Sequence, residues 1–452
     1  MKILIKGAGD LATGIASRLY HSGHQIIMTE IDVPLTVRRM VSLSRAVYEG
    51  EAEVEDMKGI FASSLKEAED VMDAGDIPVM IDACAKTAEV YRPDVIIDAI
   101  LAKKNLGTKI TDAPLVIGAG PGFTAGEDCH CVIETKRGHT LGEVIYEGGA
   151  IPNTGVPGNV GGYTTERLIR AEAAGVIEPL VSIGDVVEKG QAVALTGGKE
   201  VCAKMSGIVR GMLQPGVQVW ENLKIGDIDA RCETSHCFTI SDKARAVGGG
   251  VLEAVTRFEH MKGKYAMMIL AAGRSVRFGE NKLLASVSGK PLYRHTLDRM
   301  LAFQAYPQYL VTGYDVIGEA AEKQGIKTII NREPERGISH SVILGLEECL
   351  KQTPDIQGIL FSVCDQPNLK TATIQRMLNA AGMHRGQIIC AGNPGRPGNP
   401  VLWDRAFFDG LRHLSGDNGG RQMMSGLREK VRYVEAQPEE LKDIDQRNDL
   451  QE

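Results

Sequence analysis

Excess positive charge, aromatic residues and long apolar runs are all scarce in this 452-residue chain, and each scarcity excludes a class of function. Lys plus Arg number 51 against 58 for Asp plus Glu, a net charge of -7, so the electrostatic footprint of a general nucleic-acid binder is missing. Small molecules or proteins are the expected partners. No apolar stretch reaches the roughly 18 residues that a membrane span needs, so no membrane partner is expected. Lys6 interrupts the apolar run of MKILIKGAGD, which leaves no signal-peptide core. Cysteines number nine, odd and irregularly spaced, which argues against a disulfide framework and for a cytoplasmic setting with reduced thiols. Aromatics make up only 5% while glycines number 52, a balance that suits glycine-rich ligand loops on α/β layers.

At roughly 150 residues per domain the length predicts about three domains. Residues 1–160 alternate short β-type runs (KILIKGAG, QIIMTE, IPVMIDA, VIIDAIL, LVIGAGPGF) with helical ones, the pattern of a mostly parallel sheet with crossover helices. Residues 161–240 change texture. VSIGDVVEKGQAVAL and SGIVRGMLQPGVQVWENLKIGDI carry turn signals at regular spacing and predict a small all-β module. The glycine triplet and charged helical stretch of 241–263 read as a connector. From YAMMILAAG onward, 264–452, the alternation resumes with QYLVTGY, KTIIN, GILFSVCDQP, QIICAG and VRYVEA, predicting a second α/β domain.

Gly7-Ala8-Gly9-Asp10-Leu11-Ala12 follows a predicted strand and opens a predicted helix, matching G-x-G-x-x-G/A. Glycines there let backbone N–H groups approach a pyrophosphate at a helix N-terminus, and Glu30 closes the next strand where an acid accepts a ribose hydroxyl. Gly7, Gly9, Asp10, Ala12 and Glu30 are therefore the candidate cofactor-binding residues, against the alternative that the glycines only allow close packing. AGPGF at Gly118–Gly122 is either the opposite wall of that crevice or a turn. KGAGDLATGIASRL, MTEID, GPGFTAG, NTGVPG, RLIRAEAAG, IGDID and ISDKARAVGGGVLEA together resemble the YqeB-type accessory proteins of selenium-dependent molybdenum hydroxylases, over about 1–258. That resemblance implies a Rossmann-like unit and a role in cofactor maturation with a molybdenum hydroxylase as client; it leaves the ligand open. The β module resembles the barrel-sandwich hybrid of biotinyl and lipoyl carriers, with Lys199 near the place of the modified lysine. The acidic and methionine residues that flank such a lysine are missing around Lys199, so a spacer or interaction module is expected. Cys129-His130-Cys131 and Cys232 with His236-Cys237 are the tight thiol and imidazole groupings, and neither has the paired spacing of a structural zinc site.

The stretch Leu270-Ala271-Ala272-Gly273-Arg274-Ser275, continuing through Arg277 to Lys282-Leu283-Leu284, leaves a buried-looking strand at a carboxyl end, where open α/β sheets bind ligands. Small residues let N–H groups curl around a triphosphate, Arg277 supplies a planar fork for phosphates, and Lys282 a point charge. The loop resembles molybdenum cofactor nucleotidyltransferases. Its LAAG form with KLL resembles the MocA-like cytidylyltransferase branch, whereas the guanylyl branch carries LAGG with an acid where Asn281 stands. The resemblance implies a MobA-like Rossmann-like nucleotidyltransferase domain over 264–452, with CTP and molybdopterin as substrates. Asp365, ending the strand FSVCD, is placed to hold Mg2+ against phosphates. Gly337 and Ser341 of GISHS resemble the segment near base and ribose. GRPGNPVL at Gly395–Leu402 and Gly416–Arg421 resemble substrate-side loops, with Asp417 either facing the site or forming a turn. Asp445 in KDIDQRNDL falls where the family has Asp-Thr-Pro-Glu-Asp, and the departure leaves its metal role open. Arg277, Lys282 and Asp365 are thus the expected catalytic residues. The alternatives are a cofactor-binding chaperone with an inactive transferase domain, a transferase using another nucleotide or acceptor, and an NAD-dependent oxidoreductase built on Gly7 to Glu30.

Overall fold

The computed structural model describes residues 1–153, 155, 161–275, 278–417 and 419–451. The chain divides into two compact units, Met1–Val255 and Thr256–Glu452.

In the first unit, β1 (Lys2–Lys6) buries Ile3, Leu4 and Ile5 completely, because parallel neighbours flank it and helices cover the sheet. After α1 (Asp10–Tyr20), β2 (Gln25–Glu30) pairs parallel to β1 with Ile3 opposite Ile26. The chain continues through the antiparallel hairpin of β3 (Glu51–Val54) and β4 (Met57–Phe61) to β5 (Ile77–Ile81). It then crosses to the other side of β1 with β6 (Val95–Asp98), β7 (Leu115–Ala119), β8 (Cys131–Ile133) and β9 (Val144–Ile145). The nine-stranded order is β3-β4-β5-β2-β1-β6-β7-β8-β9, so the strand order reverses at β1 and β6 and opens a crevice at their carboxyl ends.

Two four-stranded antiparallel sheets form the β module. One orders Leu168–Arg170, Lys224–Asp229, Gly207–Met212 and Val186–Val187; the other Lys199–Cys202, Ala192–Thr196, Gly175–Pro179 and Gln218–Val219. Ile177, Val193, Val209, Leu213 and Ile225 fill the space between them, and Val37, Met40 and Tyr48 of the segment after β2 pack against this core. Lys199 pairs with Thr196 across a Gly197-Gly198 turn. A Cβ on Gly197 would lie 2.3 Å from the Ala174 carbonyl oxygen, so the turn is pressed against its neighbour rather than projecting as a swinging arm. Intact-mass measurement of protein from cells that make biotin and lipoate is expected to find Lys199 unmodified; a mass gain matching either group would overturn the spacer assignment.

The segment 241–263, read as a connector, is largely a single helix, Asp242–Met261. Its glycines serve close packing: a Cβ on Gly248 would lie 2.5 Å from the Gly14 carbonyl oxygen of α1, and one on Gly250 only 2.1 Å from that of Gly142. The helix buries Ala244, Val247 and Val251.

The second unit holds a seven-stranded sheet in the order Lys327–Ile330, Gln308–Thr312, Tyr265–Ala271, Gly358–Val363, Arg396–Asp404, Ile388–Asn393, Val431–Val434. Tyr265–Ala271 is central, parallel to both neighbours and buried throughout, which explains its unbroken apolar run. One expectation needs correction. GRPGNPVL is not a substrate loop but most of the strand Arg396–Asp404, inserted antiparallel between Gly358–Val363 and Ile388–Asn393, with Phe361 opposite Val401. The sheet buries Val401, Leu402 and Trp403, a gain that outweighs the turn signal of the glycines and prolines. Among the described residues no helix is long and apolar enough to cross a membrane.

Candidate nucleotidyltransferase site

The loop Ala272–Ser275 leaves the carboxyl end of the central strand, and two hydroxyls pin it: Thr312 Oγ1 donates to the Ala271 carbonyl at 3.1 Å and the Tyr314 hydroxyl to that of Gly273 at 2.9 Å. Ser275 takes a left-handed φ of +52°, which turns the chain sharply there. A cavity of about 440 Å³ opens over this loop, in the size range of small-molecule sites. Leu270, Ala271, Ala272, Gly273, Ser275, Lys282, Gly337, Ser341, Asp365 and Asp445, all expected from the sequence, line it. Arg277 lies outside the described residues.

Lys282 is the hub. It starts a short 3-10 turn, Lys282–Leu284, whose N-cap is Asn281: the Asn281 side chain accepts the Leu283 N–H at 3.1 Å. The Lys282 ammonium donates to Asp365 Oδ2 at 2.7 Å and to Asp445 Oδ1 at 2.9 Å. Burial works to lower its pKa, but the two carboxylates prevail and hold it above the ordinary lysine value. Asp365 sits on the turn after Gly358–Val363, which Arg299 fixes by donating to the Gln366 and Pro367 carbonyls at 3.4 and 2.8 Å. Burial pushes Arg299 down to about 10. The distant Asp445 is delivered by a stitched segment: Ile444 N–H donates to the Asp365 carbonyl at 2.9 Å, and Gln366 Nε2 to Asp443 Oδ1, also at 2.9 Å. Burial, then Asp365 and Asp445, raise the Asp443 carboxyl above its usual value.

Two buried polar atoms in the lining carry no protein partner among the described residues, Asp365 Oδ1 and the Ser275 hydroxyl. An unpartnered buried carboxylate oxygen beside a second carboxylate is a hard-oxygen donor set of the kind that binds Mg2+ through one or two carboxylates plus substrate phosphates. Asp365 and Asp445 therefore fit the expected ion. No group of three His, Cys, Asp or Glu side chains among the described residues is arranged to hold a metal by itself.

Gly337 begins the helix Ile338–Gln352 with φ +83°; a Cβ there would lie 2.5 Å from the Gly416 carbonyl oxygen and 2.7 Å from Asp417 Oδ1. Its glycine is demanded by that close approach. Asp417 thereby reaches the cavity wall, although Gly416-Asp417 is also a turn. The buried Ser341 hydroxyl accepts from Asn331 Nδ2 at 2.9 Å. Arg274, Glu335 and Ile338 also line the cavity, and the sequence reading did not single them out. Cys364 is buried beside Asp365, and burial pushes its thiol up to about 12, so it stays protonated.

The first unit has its own crevice. Gly7, Gly9, Asp10, Ala12 and Glu30 line a cavity of about 520 Å³ at the carboxyl ends of β1, β2 and β6. Gly7 has φ +97° and its Cβ would lie 3.0 Å from the Ala99 carbonyl oxygen, so its backbone requires glycine. Gly9 is different, with a Cβ position meeting nothing closer than Thr36 Oγ1 at 3.6 Å. The protein itself has room for a side chain there. Both Glu30 oxygens accept backbone N–H groups, Ala8 at 3.0 Å and Ile31 at 2.8 Å, so the acid braces the glycine loop as well as facing the cavity. Burial raises the Glu30 pKa against those two bonds. A folded Gly9→Val variant is expected to lose nucleotide binding in the first unit, measured by ligand titration of the full chain with NAD and ADP; unchanged affinity would reduce Gly9 to a spectator. The Cys129 thiol is inert: it is fully buried and pushed up to about 12 by burial, and the adjacent His130 Nδ1 accepts the Val116 N–H at 2.9 Å.

Residues 267–432 match the MobA-like NTP transferase domain family. Over 268 residues, 59% of this chain and 50% of the relative, the sequence is 49% identical to the protein YqeB of Escherichia coli (strain K12). A segment of 65 residues, 14% of this chain and 33% of the relative, is 32% identical to a probable molybdenum cofactor guanylyltransferase of Thermococcus sibiricus. The chain thus spans half or less of the length of these curated relatives. Among solved structures, Rv0371c from Mycobacterium tuberculosis H37Rv is 25% identical with a TM-score of 0.37, covering 42% of this chain and 96% of that one. The chain therefore joins a YqeB-like N-terminal region to a MobA-like NTP transferase domain.

Proposed function

We propose that the C-terminal domain transfers CMP from CTP to the terminal phosphate of molybdopterin and releases pyrophosphate. The carrying observation is the Lys282 ammonium held between Asp365 and Asp445 at the edge of the glycine-rich loop. In this reading an acceptor phosphate oxygen forms a bond to the α phosphorus while the bond from that phosphorus to its bridging oxygen breaks. Such a reaction needs positioning and charge neutralisation rather than a dedicated base. The backbone N–H groups of Ala271–Ser275 cradle the phosphates, and Lys282 meets the negative charge that builds around the α phosphate. By resemblance Arg277 adds a guanidinium fork. Asp365 and Asp445 would hold Mg2+, which supplies further neutralisation of the phosphates when bound. The N-terminal region, by its similarity to YqeB, would assist modification of the cofactor or its delivery to a molybdenum hydroxylase, in the cytoplasm.

The choice of CTP rests on Ala272 and Asn281, where the guanylyl branch has glycine and an acid. Ala272 is 7% exposed in the cavity wall, so its methyl group takes space that glycine would leave for a larger base. GTP is the second reading, favoured by the similarity to the probable molybdenum cofactor guanylyltransferase of Thermococcus sibiricus. Pyrophosphate release, followed with each nucleotide and molybdopterin as acceptor, separates the two. CTP is expected to be preferred by about tenfold or more in kcat/KM, and Ala272→Gly to narrow the gap by about tenfold, the scale of one methyl group in a pocket. Equal or better use of GTP by the unaltered protein would sink the cytidylyl assignment.

A further inference from the structure

A second cavity of the first unit, about 550 Å³, lies between the glycine loop, the β module and the start of the helix Asp242–Met261. Its wall is strongly biased in charge: Lys and Arg outnumber carboxylates eight to two among the lining residues, the carboxylates being Asp10 and Asp227. The fold brings these cations together from segments far apart in sequence. A Cβ on Gly211 would lie 2.8 Å from Val37, so the strand Gly207–Met212 meets the segment after β2 at backbone distance and sets Arg210 near Arg38. Strand Lys224–Asp229 adds Lys224, its partner strand is preceded by Arg167, and the helix adds Lys243.

The acids present do not balance these charges. Asp227 is shared by Arg167 at 2.6 Å and Lys224 at 3.8 Å. Asp229 binds Arg231 at 2.6 Å and leaves Arg210 at 3.7 Å. Arg38 lies 3.5 Å from Asp10, with its side chain 10% exposed. The Nε atoms of Arg38 and Arg167 are buried without a partner among the described residues. Lys136 and Lys243 make no ion pair among the described residues either, and burial lowers the pKa of both Lys224 and Lys243. Partly buried guanidinium groups with spare donors are costly unless an anion meets them, and the planar forks match phosphate oxygens.

We infer that this cavity is a phosphate-binding site, taking the diphosphate of a nucleotide or another phosphorylated small molecule, separate from the transferase site. It adjoins the glycine-loop cavity, with which it shares Asp10, Leu11, Arg38, Leu101 and Lys224. A ligand with its phosphates among the cations therefore has room to extend toward Gly9 and Glu30. This inference is independent of the cytidylyl reading, which concerns another unit.

The test is residue-resolved. Lysines of the full-length protein are labelled with an amine-reactive ester and quantified by mass spectrometry, with inorganic pyrophosphate, ADP, or chloride at matched ionic strength. Pyrophosphate and ADP are expected to protect Lys224 and Lys243 at concentrations where chloride does not. An earlier midpoint for ADP would assign the neighbouring cavity to its nucleoside, and equal midpoints would assign the site to polyphosphate alone; both support an anion site. Arg38→Gln is expected to raise the protection midpoint by about tenfold or more, the scale of one lost charge-assisted hydrogen bond. Lys136→Gln, which breaks no ion pair, serves if Arg38→Gln fails to fold, with a midpoint raised severalfold. Unprotected Lys224 and Lys243, protection by chloride alike, or midpoints unmoved in the folded variants would overturn the inference.

Discussion

Asp365→Ala is expected to lower nucleotidyl transfer on the order of 100-fold or more and to abolish its dependence on divalent metal. Asp365 has two tasks. Its Oδ2 holds the Lys282 ammonium at 2.7 Å, and its Oδ1 is buried with no partner among the described residues, free for a cation. Neither Asp365→Ala nor Asp365→Asn touches the Asp365 carbonyl that receives the Ile444 N–H, so both leave the backbone role in place. The amide keeps the shape but loses the charge, so the asparagine variant should be nearly as slow as the alanine variant. Pyrophosphate release across a Mg2+ titration is the measurement. Undiminished, metal-saturable activity in Asp365→Ala would remove the metal role.

Much of this arrangement was legible because central parallel strands are buried on both faces and therefore read as unbroken apolar runs. KILIK, QIIMTE, VIIDAIL, YAMMILAAG and GILFSV all coincide with strands. Edge elements were not legible. The hairpin Glu51–Val54 with Met57–Phe61 buries alternate residues only, so EAEVED reads as a polar stretch. The inserted strand Arg396–Asp404 carries one glycine and two prolines and reads as a loop. Gly248 and Gly250 looked like linker residues because a triplet of glycines signals flexibility, whereas contacts with Gly14 and Gly142, remote in sequence, decide their role.

The sites divide in the same way. The phosphate loop and Lys282 form one contiguous stretch at a strand end, so local spacing exposes them. Asp445 lies far along the chain in a segment that departs from the family pattern, and only the stitching of 440–445 to 365–373 brings it to Lys282. Asp443 was missed altogether. The Asp443-x-Asp445 spacing was its one available signal. The cationic cavity had no local signature at all, since its lysines and arginines come from scattered segments that spacing cannot relate.

Lys282→Ala should cut turnover by about 100-fold with a smaller change in the KM for CTP, because its charge matters most as negative charge gathers at the α phosphate. The same change should alter stability in a pH-dependent way. In the unaltered protein the lysine pKa is raised, so its stabilising contribution is present below the ordinary lysine value of about 10.4 and is lost as pH rises through the folded value. Asp443 behaves oppositely. Its raised pKa means that ionisation costs stability as pH climbs from the unfolded carboxyl value of about 3.9 through the folded one. Lys282 offsets that cost by lowering the Asp443 pKa, and it also separates Asp365 from Asp445. Without it the three carboxylates repel one another once ionised. Because Asp443 ionises only above its ordinary carboxyl value, and Lys282 is one of the groups that favours its ionised form, the stability deficit of Lys282→Ala is expected to be smaller near pH 4 than near pH 7. Thermal unfolding of both proteins across that range tests the account. A deficit that stays constant with pH would show that the ammonium does not hold the carboxylates together.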